Sequence, residues 1–157
     1  MDLNKKQLID ITKITYIENF VSFKEILDFN KLVFFLDRLE PNIVQHPHKI
    51  KLNFFDLLPE GKQIQETVKE CFSYNNEKMN TCLFASLTKQ GGTESHMDEE
   101  TVFLIPTIGQ IVYNIYNKHS YESYFLKPGD LLVIPKQIMH AAIPICPRIT
   151  ISVGIYN

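Results

Sequence analysis

The chain has 157 residues, of which 45% are hydrophobic, 11% aromatic and 22% charged. These figures exclude a disordered tail, a collagen-like chain and a disulfide-dependent miniprotein, and they predict one domain over 1–157 with a core of its own. Sixteen basic against 18 acidic residues leave a formal charge of −2, which is no electrostatic footprint for general nucleic-acid binding.

The three cysteines, Cys71, Cys82 and Cys146, are odd in number and widely spaced, a pattern of reduced thiols in a cytoplasmic protein. The opening MDLNKKQLID has no apolar signal core after its lysines. No stretch approaches the ~20 apolar residues of a membrane span.

In chain order, the β-branched and aromatic run over 11–20 predicts a short strand. Ser22 and Glu25 have capping-box spacing, which predicts a helix carrying Ile26, Leu27, Phe29, Leu32, Val33, Leu36 and Leu39 and stopped by Pro41. A second helix is expected after Pro59, where Ile64, Val68, Cys71 and Phe72 share one face. The run YNNEKMN at 74–80 reads as a polar turn. Residues 1–80 are thus a mixed, helical support.

From Thr81 onward the pattern changes to short strands at 81–88, 101–105, 111–116, 122–126, 131–134 and 148–156. They are punctuated by Gly91-Gly92, Gly109, Pro128-Gly129 and Pro135. Such spacing predicts a sandwich or barrel of antiparallel sheet, so the fold class is mainly β with N-terminal helices (α+β).

One constellation carries chemistry. In His96-Met97-Asp98, residues i and i+2 of a strand point to one face, offering an imidazole and a carboxylate to a common metal. A third ligand, His140, follows the turn at Pro128-Gly129-Asp130, the apolar run 131–134 and Pro135. Two histidines and one carboxylate form the facial triad that suits non-haem Fe(II). Glu99 and Glu100 are expected to be solvated.

These segments resemble a known superfamily. Gly129, five residues, Pro135, four residues and His140 are similar to the second cupin motif, and Gly91 or Gly92, His96-x-Asp98 and Gly109 to the first. The Asp at the second ligand position resembles the JmjC-like hydroxylases and the wider Fe(II)- and 2-oxoglutarate-dependent oxygenases. The resemblance covers residues 81–157. It implies a cupin-like double-stranded β-helix (a jelly roll), with Fe(II) as metal and 2-oxoglutarate as cosubstrate. The activity it implies couples oxidative decarboxylation of 2-oxoglutarate to substrate hydroxylation.

The distal carboxylate of 2-oxoglutarate calls for a base. Relatives of the asparaginyl and ribosomal-protein type carry it fifteen residues after the first ligand histidine, where this chain has Ile111. Other family members place an Arg on the last strand. Here Arg148-Ile149-Thr150 follows His140, and Arg148, Thr150 and Ser152 alternate with Ile149, Ile151 and Val153. Arg148 is therefore the expected partner of the cosubstrate, with Thr150, Thr93, Asn114 and Tyr113 as further binding positions and Ser86 and Tyr124 as outlying ones.

Other polar features read as ordinary surface. His46-Pro47-His48 is interrupted by proline and has no third ligand nearby, and His119 sits in a turn. Cys146 reads as structural, and the aromatics of 113–125 as sheet packing.

Three functions compete on this reading. They are an Fe(II)/2-oxoglutarate hydroxylase, a metal-binding cupin enzyme (dioxygenase or isomerase) that does not use 2-oxoglutarate, and a non-catalytic cupin-like binding module. The substrate is expected to be a protein side chain or a small molecule. An exposed sheet edge or apolar patch would make a homodimer.

Overall fold

The computed structural model describes residues 9–22, 28–38, 43–46, 48–71 and 78–156. Its elements are β1 (Thr15–Ile17), α1 (Phe29–Arg38), β2 (Ile43–His46), β3 (Lys49–Leu52), a 3-10 turn (Phe55–Leu57) and α2 (Pro59–Lys69). After them come β4 (Lys78–Ser86), β5 (Thr93–His96), β6 (Thr101–Ile108), β7 (Ile111–Tyr116), β8 (Tyr121–Leu126), β9 (Leu131–Ile134), β10 (His140–Pro144) and β11 (Arg148–Tyr156).

Two antiparallel sheets face each other. One has the order β1-β9-β6-β11-β4-β3-β2, the other β5-β10-β7-β8. The consecutive strands β4 to β11 are dealt between the two sheets in the way that defines a jelly roll, or double-stranded β-helix. The N-terminal segment adds β1 at one edge of the large sheet and the β2–β3 hairpin at the other.

The period of two explains why the large sheet is buried on both sides. Along β11, Ile149, Ile151, Val153 and Ile155 are fully buried in an outer core with Phe35, Phe55, Ile64 and Val68 of the helical layer. Phe103 and Ile105 of β6 and Leu131 and Val133 of β9 join the same core. The alternate residues Val102, Leu104, Leu132 and Ile134 turn into the barrel and meet Ile111, Tyr113 and Ile115 of the small sheet. On β11 that inner row is polar: Arg148, Thr150 and Ser152 are all buried.

Pro106 sits within β6, where a missing N–H would leave a gap in the ladder. The register of β6 against β11 shifts between Ile149 and Thr150, so the proline is accommodated at a bulge. Its carbonyl accepts from Gly129 N at 2.9 Å. Gly129 has φ +91, and a Cβ there would lie 2.4 Å from Val21 O. The turn therefore needs glycine both for its left-handed backbone and for the close approach.

Asp130, next in the chain, is fully buried. Its carboxylate accepts from Asn19 N, Lys127 N and the Tyr16 hydroxyl, each at 3.0 Å. One side chain thereby ties the N-terminal segment to the turn before β9.

Several expectations change. The strand predicted over 11–20 forms only at Thr15–Ile17. The Ser22–Glu25 capping box reaches into 23–27, outside the described residues. The helix starts at Phe29, where Asp28 Oδ1 accepts from Lys31 N at 2.7 Å and acts as the cap. In α1, Leu32 and Phe35 are buried but Val33 is 59% exposed, so the stripe is rotated from the predicted one. The second helix forms as expected, with Pro59 at its first turn and Ile64, Val68 and Cys71 buried. The predicted turn at 74–80 yields Lys78–Asn80 to β4, and its remainder falls outside the described residues. Strands β2, β3, β5 and β10 were not predicted. Among the described residues no helix is long and apolar enough to cross a membrane.

Replacing Asp130 by Ala removes three hydrogen bonds to one buried carboxylate, from Asn19 N, Lys127 N and the Tyr16 hydroxyl, of which the hydroxyl keeps a second acceptor, Phe125 O. Urea denaturation should show a loss of about 3 kcal/mol, with a smaller loss for Asp130→Asn, which keeps one carbonyl acceptor.

Candidate metal centre

His96 is the last residue of β5, and His140, the first of β10, lies opposite it in register. Their rings are 4.4 Å apart, centroid to centroid. Asp98 lies beyond the end of β5, so it does not reach the site by strand alternation as the sequence suggested. The loop after β5 turns its carboxylate back between the two rings, with Asp98 Oδ1 3.6 Å from His96 Nε2 and Oδ2 3.5 Å from His140 Nε2. One donor atom from each residue lies within 4.8 Å of the other two.

Both rings are held by their far nitrogens. His96 Nδ1 is 2.8 Å from Glu94 O, and His140 Nδ1 is 2.9 Å from Ile138 O. A carbonyl only accepts, so each Nδ1 carries the hydrogen and each Nε2 lone pair faces Asp98. Burial is the main cause that pushes the His140 pKa below the usual histidine range; His96 adds to it, while Ile138 O and Asp98 oppose it. A neutral imidazole is the ligand form. The side chains are 4% exposed at His140, 37% at His96 and 31% at Asp98, so the group opens to solvent on one side.

The three residues share a cavity of about 270 Å³ with Thr93, Glu100, Tyr113, Arg148 and Ser152. Val102, Leu104 and Ala142 form apolar wall between them. Arg148, which also lines the cavity, is 2% exposed. Its Nη2 donates to Gly91 O at 3.4 Å, while Nε and Nη1 have no hydrogen-bond partner among the described residues. Ser86 Oγ, opposite Arg148 in register, is likewise buried without a partner among the described residues, and Thr150 Oγ1 lies buried beside the Tyr113 hydroxyl. Orphaned buried polar atoms of this kind are rare in folded proteins and ask for a ligand. Tyr113 is fully enclosed; burial pushes its phenol pKa up against the opposing pull of Arg148, so the hydroxyl keeps its proton.

The predicted positions separate accordingly. His96, Asp98, His140, Arg148, Thr93 and Tyr113 line one cavity, and Thr150 is buried beneath it on β11. Asn114 does not join them. It alternates with the inward residues of β7 and accepts from Ser123 Oγ at 2.8 Å on the outer face. Tyr124 likewise donates to Glu122 and packs on Tyr16. Glu100, expected to be solvated, is a cavity residue: it takes a hydrogen bond from Tyr156, whose pKa is pushed up to about 12 chiefly by that contact.

Sequence reasoning missed Lys49 and Lys51, which enter the cavity from β3. The alternation in Lys49-Ile50-Lys51-Leu52 was the available signal, because Leu52 is buried on the opposite side. His48, directly before β3, is an exposed turn residue.

No protein-family model matches the sequence, and no curated protein matches it. Among solved structures, the fold is similar to that of the ribosomal oxygenase YcfD from Escherichia coli in complex with cobalt and succinic acid (TM-score 0.74, 16% identity). The match covers 92% of this chain and 48% of that one. The same protein in complex with cobalt and 2-oxoglutarate gives TM-score 0.74 at 15% identity, with the same coverage. KdgF from Halomonas sp. is similar over 75% of this chain and 90% of its own, with TM-score 0.52 and 14% identity. The chain spans about half the length of YcfD. The fold is thus a double-stranded β-helix, as in these structures.

A guanidinium buried without an anion destabilises the ligand-free protein. Arg148→Met should raise its stability by about 1–3 kcal/mol in urea denaturation. A loss of stability would mean that Arg148 is structurally satisfied after all.

Proposed function

We propose that this protein is a non-haem Fe(II)- and 2-oxoglutarate-dependent oxygenase, in which His96, Asp98 and His140 hold the metal and Arg148 holds the distal carboxylate of the cosubstrate. The observation that carries the reading is a three-residue donor cluster and a buried Arg148, with no acidic partner among the described residues, in the lining of one cavity. A dicarboxylic 2-oxo acid is the kind of molecule that satisfies both.

The donor set fits the metal. Two imidazole nitrogens with fixed tautomers and one carboxylate give a neutral-plus-anionic N/O set that leaves coordination positions open. When bound, Fe(II) with 2-oxoglutarate supplies oxidative decarboxylation: dioxygen provides one oxygen atom to succinate and one to the hydroxyl of the product, and carbon dioxide leaves.

The chain's own residues do the positioning. Ile138 O and Glu94 O orient the two rings. Arg148 neutralises the distal carboxylate, and the protonated Tyr113 and Thr93 hydroxyls border its path. Val102, Leu104 and Ala142 supply apolar wall to the cavity. The half-exposed side at His96 and Asp98 is where a protein side chain or a small molecule presents its C–H bond.

A second reading, a cupin metalloenzyme that does not use 2-oxoglutarate, draws on Ile111. It is fully buried at the position where related hydroxylases place their base.

Metal analysis together with succinate formation separates the two. Asp98→Ala should cut bound Fe(II) and succinate production by at least 100-fold. Arg148→Met should keep the metal but weaken 2-oxoglutarate binding by about 10–100-fold, the loss of a charge-assisted hydrogen-bonded pair. Metal retention with no 2-oxoglutarate binding by the unmodified protein would favour the second reading.

A further inference from the structure

The lining of the cavity holds a second cation that the barrel itself does not supply. Lys49 opens β3, a strand of the N-terminal hairpin. The pairing Ile50↔Ala85 and Lys51↔Phe84 places Lys49 beside the Ser86–Arg148 step of the large sheet. Its side chain crosses into the cavity, where Nζ donates to Gly92 O at 3.2 Å and Thr93 Oγ1 at 3.4 Å.

The adjoining carbonyl, Gly91 O, takes the hydrogen bond from Arg148. Two successive carbonyls therefore gather the two cations at one point. The glycines make this approach possible. A Cβ on Gly91 would lie 2.2 Å from Ser86 Cβ and 2.4 Å from His48 O, and one on Gly92 would lie 2.6 Å from Ala142 O.

Neither cation is neutralised. Among the described residues, neither Lys49 nor Arg148 forms a salt bridge, and Glu94, the one acid acting on Lys49, is an exposed residue. Burial and the neighbouring Arg148 both push the Lys49 pKa down. Neutral carbonyl and hydroxyl acceptors do not offset two like charges held half-buried and close together. A shared anion does.

We infer that Lys49 is the second cation of the anion subsite, clamping the same carboxylate as Arg148. The N-terminal hairpin then sets the preference of the cavity for dicarboxylic over monocarboxylic 2-oxo acids. The inference rests on the oxygenase reading and adds to Arg148 a second base for the distal carboxylate. It also gives the hairpin, which lies outside the eight barrel strands, a part in ligand selection.

The test is calorimetric, on the full chain loaded with Mn(II), and uses 2-oxoglutarate and 2-oxopentanoate, which lacks the distal carboxylate. The unmodified protein should bind 2-oxoglutarate at least 100-fold more tightly. Lys49→Gln keeps an N–H donor for Gly92 O and Thr93 but removes the charge. It should weaken 2-oxoglutarate about 10–100-fold while leaving 2-oxopentanoate and Mn(II) affinity unchanged, and Lys49→Arg should recover most of the loss. Unchanged 2-oxoglutarate affinity in Lys49→Gln overturns the assignment alone. So does an equal loss for both ligands with a lowered melting temperature, because Lys49 is then only a clip between β3 and β5. If the unmodified protein binds no 2-oxoglutarate, the oxygenase reading falls and the assignment falls with it.

Discussion

A guanidinium held inside the barrel with no counter-anion is the constraint on which the arrangement depends. Arg148 begins β11, the strand between β4 and β6 in the large sheet. Its neighbours along the chain are pinned into the outer core, since Ile149, Ile151, Val153 and Ile155 are all fully buried there. Strand alternation leaves Arg148 only one direction, into the cavity. A one-residue slip would place the isoleucines inside and the polar row against Phe35 and Phe55, at the cost of several buried apolar side chains of roughly 1.5–3 kcal/mol each. The outer core thus enforces the polarity of the inner face.

The cavity that results is lined by two chemically opposite groups. Asp98 lies with the two histidines, while Arg148, Lys49 and Lys51 line the cavity from strands of the large sheet. Such a lining suits a cation at one group and an anion at the other, bridged by one ligand. Neither group is well compensated alone. Asp98 stands 3.5 Å from its nearest histidine nitrogen, too far for a hydrogen bond of ordinary strength. Two Arg148 nitrogens have no partner among the described residues. Ligand-free stability is lower for it, and any molecule that engages both groups stabilises the fold by mass action. Functional sites are where folds tolerate such unsatisfied groups.

Much of this was legible in the sequence because it is local. The strands β6, β7, β8, β9 and β11 have strong apolar alternation or continuous apolar runs, and turn residues bound them. The spacing from Gly129 through Pro135 to His140 gave the second ligand segment. What was not legible is what tertiary contacts decide. Thr93–His96 is a polar stretch with two exposed residues, and it becomes a strand only because β10 pairs with it. Asp98 was assigned to the triad on strand alternation, yet a loop delivers it. Asn114 was placed in the site by residue type, but the period of two puts it outside, beside the inward Tyr113. Val33 fitted the predicted helical stripe, but the face that α1 buries runs through Leu32 and Phe35.

Lys49 shows why the largest omission was of this second kind. It is separated from Thr93 by 44 positions, and a four-residue hairpin strand flanked by His46-Pro47-His48 reads as loop when taken alone. Only the pairing of β3 with β4 brings it to Arg148. Two close cations on separate strands repel each other, and nothing in the hairpin's own packing requires a charge there: Ile50 and Leu52 already anchor β3 in the outer core. An apolar or neutral residue at position 49 would serve the sheet equally well without the desolvation that depresses the lysine. On the proposed function the charge answers to what enters the cavity rather than to what holds the hairpin in place, and so does that of Arg148 on the strand beyond.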